Sequence, residues 1–166
     1  DQITTHFEYH SMEENLLKLD MLGHDDPTMI RMMEDMTGVD AKTIPLDDKD
    51  TMSIFTSSKV LGYEDDKILG PTGAVAVPEF NTRFTRGVLL DTKPEKFDFL
   101  VRISGYTHGT DVWLGNAKDL IDKGVVPLSQ CLCTREDIMN QLMQMGVPAK
   151  MAFDTMEFVR KGKGLK

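Results

Sequence analysis

The chain has 166 residues, 40% of them hydrophobic and 28% charged, with a formal net charge of −8. That is enough chain for one ordinary core and too apolar a mix for a disordered protein. No apolar run approaches the ~20 residues that would span a bilayer. The acidic balance is unlike that of a simple nucleic-acid binder, whose affinity comes from Lys and Arg neutralising phosphates. It is unevenly spread, however: acids crowd residues 8 to 66, and Arg160, Lys161, Lys163 and Lys166 gather at the end. The start at Asp1 without Met and the basic, Gly-broken end are those expected of a piece of a longer protein.

In chain order, residues 6–10 alternate polar and aromatic side chains and read as a strand. Residues 16–22 read as a second, with Leu17, Leu19 and Met21 on its buried face and Lys18 and Asp20 together on the other. Asp25-Asp26-Pro27 opens a helix that carries Met29, Met32, Met33 and Met36 at helical spacing and stops at Gly38; methionines in such a pattern are expected as adaptable core fillers. Residues 44–73 mix short helical and turn signals, and Gly73 to Pro78 is a short strand or an extended loop.

From Asn81 the chain is predicted helical. Asn81 caps a helix with Phe84 and Val88 inward; Phe97, Leu100 and Ile103 outline another, ended by Ser104-Gly105. Ala117, Leu120 and Ile121 mark a third, closed by Gly124. A fourth enters from a Thr134 cap with Ile138, Leu142 and Met145 and stops at Gly146. Pro148 opens a fifth with Ala152, Met156 and Val159 buried. Cys131 and Cys133 lie too close in sequence for an ordinary disulfide and have no metal-type spacing around them, so they are expected as reduced thiols of a cytoplasmic protein.

Chemistry is carried by few positions. Asp20, at the end of an apolar strand beside Lys18, can hold a hard divalent cation, but one carboxylate is too few for a two-metal site. His6, His10 and the His24-Asp25-Asp26 group lack metalloenzyme spacing and read as strand histidines and a helix cap. Arg83 and Arg86 share the outer face of their helix, as a solvated face or a contact with a phosphate backbone. Ser104-Gly105-Tyr106-Thr107-His108-Gly109-Thr110 offers hydroxyls, N–H groups and glycines that admit a close anion. Arg135 opens one helix, and Arg160-Lys161-Gly162-Lys163 closes the last, where cations also complement the helix dipole.

Several runs together resemble a known family. Thr4 to Ser11, Asn15 to Thr28, Pro78-Glu79-Phe80, Val101 to Gly105, His108 to Ala117 (HGTDVWLGNA), Arg135 to Met139 and Met156 to Leu165 are similar to bacterial C-family replicative DNA polymerases, the Gram-positive-type DNA polymerase III alpha chains. The likeness covers nearly the whole chain. It implies an α+β, predominantly α-helical fold: the end of a Pol β-like palm in residues 1–43, a connection in 44–77 and part of the fingers in 78–166. It implies template-directed DNA synthesis with Mg²⁺, with Asp20 as the third palm aspartate and the other two outside this chain. By the same resemblance Ser104, Gly105, His108, Gly109, Thr110, Arg135, Arg160 and Lys18 would contact the nucleotide, and Arg83, Arg86, Lys161 and Lys163 the DNA. The implied partners are primer-template DNA, deoxynucleoside triphosphates and the rest of the polymerase, with a sliding clamp and clamp loader reached through other regions. The implied location is the cytoplasm, at the nucleoid, with no membrane. Two other readings stay open: an autonomous metal-dependent phosphoesterase built on the histidines and Asp20, and a non-enzymatic helical interaction module with a Met-rich surface.

Overall fold

A computed structural model describes residues 2–19, 21–64, 66–109 and 111–163. The chain divides into two compact units, residues 1–44 and 45–166. Their described residues form seven α-helices, and the β pairing among them is a single isolated antiparallel bridge between Asp66 and Gly70. The predominance of helix agrees with expectation; the β component of the expected α+β class is not found in the described residues.

Among the described residues of the first unit neither expected strand forms. Tyr9–Ser11 is a 3₁₀ turn whose Ser11 N–H donates to the Glu8 carboxylate at 3.1 Å. Leu17, Leu19 and Met21, expected on a half-buried face, are 85, 70 and 86% exposed. Alternation dictates which face a strand would bury, but a strand also needs a ladder partner and a covering layer. The described residues of this unit provide neither. Helix α1 (Asp26–Thr37) starts and stops where expected, with Pro27 in its first turn and Gly38 closing it in the left-handed region (φ +71°). Asp25 is no side-chain cap; its own backbone is already helical. Met29, Met32, Met33 and Met36 are all exposed rather than core, because no described residue of this unit packs over their face.

The second unit has the core. Helix α2 (Lys49–Ser53) is capped by Asp48, which accepts from Thr51 N–H at 2.7 Å. Gly73–Ala76 forms a 3₁₀ turn, not a strand. Helix α3 (Arg83–Thr92) takes its cap from Thr82, one residue beyond the expected Asn81. Its buried positions are Thr85, Val88 and Leu89, which leaves Phe84 on the flank, 44% exposed. Helix α4 (Phe97–Thr107) runs through Ser104-Gly105 instead of ending there and buries Leu100, Ile103 and Tyr106 at helical spacing.

Leu89, Ile103 and Tyr106 have no exposed surface, and each apolar side chain of this kind stabilises the fold by about 1.5–3 kcal/mol. Met52, Phe55, Trp113, Ala117 and Cys131 complete the cluster, with the Tyr106 and Trp113 rings 5.4 Å apart. A turn at Trp113–Ala117, broken by an extended Leu114 and a left-handed Gly115, leads into α5 (Lys118–Asp122). Helices α6 (Arg135–Gln144) and α7 (Ala149–Arg160) pack on each other as a hairpin. Ala152 and Met156 are buried as expected, whereas Val159 is 42% exposed.

Candidate functional site

The last turn of α4, the segment before α6, the first residue of α6 and the end of α7 enclose a cleft of about 800 Å³. Six residues singled out from sequence line it: Gly105, His108, Gly109, Arg135, Arg160 and Lys161.

Four of them, Gly105, His108, Arg135 and Arg160, are held by neighbours that can be named. A Cβ at Gly105 would overlap the Cys133 carbonyl, so this glycine lets α4 and the 131–133 segment meet backbone to backbone. Its role is internal packing, not the close ligand approach expected of it. Both ring nitrogens of His108 face acceptors. Nδ1 lies 2.5 Å from the Ser104 carbonyl and Nε2 lies 2.7 Å from the Glu79 carboxylate. An imidazole can donate from both nitrogens only as the cation. The Ser104 carbonyl, and then Glu79, accordingly raise the His108 pKa above its ordinary value.

The segment leading into α6 is fixed from two sides. The Cys131 carbonyl accepts from Arg102 Nη1 at 3.1 Å and from the Tyr106 hydroxyl at 3.0 Å. Asp137 accepts from the Cys133 and Thr134 N–H groups at 3.0 and 3.1 Å, while Thr134 Oγ1 accepts in return from Asp137 N–H at 3.2 Å. This reciprocal cap places Arg135 at the cleft. Burial opposes the Asp137 charge, but its N–H donors outweigh it and hold the carboxyl below its ordinary range. Burial, then the Asp137 carboxylate, push the Cys133 thiol up to about 12, so it is unreactive near neutrality. Both cysteines are free thiols, as expected.

At the far wall, Glu157 grips Arg160 by two hydrogen bonds, from Nε at 3.0 Å and Nη2 at 2.8 Å, and stands 3.6 Å from Arg135 Nη1. Beyond Arg160 the chain turns on Gly162 (φ +68°), with N–H groups of Gly162 and Lys163 donating to the Val159 and Phe158 carbonyls. His108, Arg135, Arg160 and Lys161 against Asp111 leave the cleft lining cationic on balance, suited to an anion.

The other expected residues lie elsewhere. Ser104 supplies its carbonyl to His108 and does not line the cleft. Lys18 belongs to the first unit, with Nζ 5.3 Å from the Tyr9 ring centroid. Arg83 and Lys163 are exposed. Arg86 has an internal partner: Nη1 donates to the Leu69 carbonyl at 2.6 Å, its Nε is buried without a partner, and the guanidinium lies over Gly70. Asp20 and Thr110 lie outside the described residues. His10 pairs with Glu13 and His24 with Asp26, and among the described residues no three His, Cys, Asp or Glu side chains gather to hold a metal ion. Glu79 and Glu157 were not foreseen. Glu157 sits three residues before Arg160, a readable helical pair; Glu79 meets a histidine 29 residues away and left no local signal.

The profile of the bacterial DNA polymerase III alpha subunit finger domain matches residues 26–166. The chain belongs to that finger-domain family. It is 61% identical over 163 residues to the DNA polymerase III PolC-type of Staphylococcus saprophyticus, covering 98% of this chain and 11% of the relative. It is 56% identical over 165 residues to that of Caldanaerobacter subterraneus, covering 99% and 12%, and 58% identical over 163 residues to that of Staphylococcus aureus, covering 98% and 11%. The chain thus spans about a tenth of the curated relatives it matches. The finger-domain match begins at Asp26 and so takes in α1 as well as the whole second unit. No helix among the described residues is long and apolar enough to cross a membrane.

Proposed function

We propose that this chain serves DNA-directed DNA synthesis as the nucleotide-gripping fingers of a replicative polymerase, with the cationic cleft receiving the triphosphate of an incoming deoxynucleotide. The observation that carries this is the convergence of His108, Arg135, Arg160 and Lys161, from three separated stretches of sequence, on one cleft. Fixed cations in a partly enclosed site stabilise polyphosphate charge and align it for attack. The tethered His108 ring, both of whose nitrogens are engaged, adds positive charge when protonated rather than a hydrogen bond, and the arginines present planar forks that match phosphate oxygens.

In this reading residues 1–25, ahead of the family match, end the palm, a shorter stretch than the 1–43 expected from sequence. Asp20 is its metal-binding aspartate, and Lys18 stands near the primer end or a phosphate. One carboxylate makes a partial shell for Mg²⁺, which the rest of the polymerase would complete; bound there, the ion neutralises phosphate charge and lowers the pKa of the attacking hydroxyl. Arg83 and Lys163 are exposed cations suited to the DNA backbone; Lys161, expected with them, lines the cleft, and Arg86 is committed to Leu69. Clamp and clamp loader would be met by other parts of the polymerase, in the cytoplasm.

The test is single-nucleotide incorporation by the full-length polymerase carrying Arg160→Ala. A rise in deoxynucleotide KM of roughly tenfold or more, with primer-template affinity kept, is expected for loss of one charge-assisted phosphate contact. An unchanged KM for this variant and for Arg135→Ala would remove the nucleotide from this cleft.

A further inference from the structure

Resting on the nucleotide reading of the cleft, we infer that Glu157 is a positioning residue that locks Arg135 and Arg160 into a single anion-binding fork. Glu157 does not line the cleft, and its side chain is only 22% exposed. It accepts from two donors of Arg160 on its own helix and faces Arg135 across the helix hairpin at 3.6 Å. Arg135 is held on its other side by Glu136, which accepts from Nε at 2.9 Å.

A guanidinium has five N–H donors. Arg160 spends two on Glu157 and keeps three, so the carboxylate can fix the side chain while leaving an edge for a ligand. Arginine loses much rotamer freedom on ordering, and a carboxylate that orders two arginines in advance removes that cost from ligand binding. A carboxylate inside the cleft would repel a triphosphate; one set apart from its lining can organise the cations without occupying the anion's place. The Arg160 hydrogen bonds, followed by the charges of Arg160, Arg135 and Lys161, keep Glu157 ionised and so able to perform this task at neutral pH.

The test compares Glu157→Gln, Arg160→Ala, Arg135→Ala and the double variant E157Q/R160A in the full-length polymerase, by steady-state incorporation of one deoxynucleotide. E157Q is expected to raise the deoxynucleotide KM roughly tenfold while kcat stays within about twofold, because positioning acts on binding. The double variant is expected to lose less than the sum of the two single effects, since without Arg160 the carboxylate has only Arg135 left to position. A KM that is unchanged or lowered in E157Q, or an effect that adds in full to that of R160A, overturns the inference. If R160A and R135A themselves leave KM unchanged, the nucleotide reading fails and this inference with it; if they raise KM and E157Q does not, the inference alone fails. Should E157Q melt well below the native protein, Glu157→Asp carries the test. Its shorter arm cannot reach both arginines, so a raised KM at native Tm supports the inference and a native KM overturns it.

Discussion

Gly105 sits inside α4, a position where alanine is ordinarily preferred by up to about 1 kcal/mol. The Cys133 carbonyl reverses that preference, because backbone cannot retreat as a flexible side chain can. Gly105→Ala is therefore expected to destabilise the second unit by about 1–3 kcal/mol, the usual cost of overpacking, seen as a lower midpoint in chemical denaturation. A midpoint at or above the native one would contradict the close approach. His108 makes a different prediction. Its raised pKa means that the ionic part of its link to Glu79 is fully present below the ordinary histidine value of ~6.5 and is lost as pH rises through the elevated folded value. The Tm difference between the native protein and Glu79→Gln should be largest near pH 6 and shrink under alkaline conditions. A difference that grows with pH would show that the pairing is not one of a cation with a carboxylate.

At the scale of elements, the caps decide where the helices lie. The Thr134–Asp137 reciprocal cap both starts α6 and sets the course of the segment that presents Arg135. Thr134→Ala should cost about 1 kcal/mol, the typical worth of such a cap, and a variant of native stability would show that Asp137 alone suffices. Caps are also what sequence reveals best, since donor and acceptor lie within three residues. Thr134, Gly38, Gly124 and Gly146 all mark ends where expected. Gly105 was misread for the opposite reason. A glycine commonly ends a helix, and what keeps this one inside α4 is a carbonyl 28 residues away. The strands at 6–10 and 16–22 failed on the same ground: periodicity is local, while a ladder needs a partner. The cations of the cleft were legible as residue types, and Glu157 was readable from its spacing to Arg160, but Glu79, which holds His108, is defined by a tertiary contact alone.

For the whole molecule, the two units differ in how far they complete themselves. The second has its own buried cluster, whereas the first leaves its apolar side chains open. The proposed role of Asp20 accordingly belongs to the intact polymerase: Asp20→Asn there should abolish incorporation while leaving primer-template binding in place, and near-native incorporation would refute the assignment. The exposed apolar side chains between Leu16 and Leu22 have a practical consequence too. Leu16, Leu17, Leu19, Met21 and Leu22 are 58 to 86% exposed within seven residues. A cluster of this kind is sticky, since contact with another chain removes it from water. The isolated chain should then associate in proportion to its concentration, and sedimentation should show the effect vanish when residues 1–44 are removed. Translated as part of its polymerase, the same stretch would emerge from the ribosome as a hydrophobic segment in need of shielding until the surrounding fold is made.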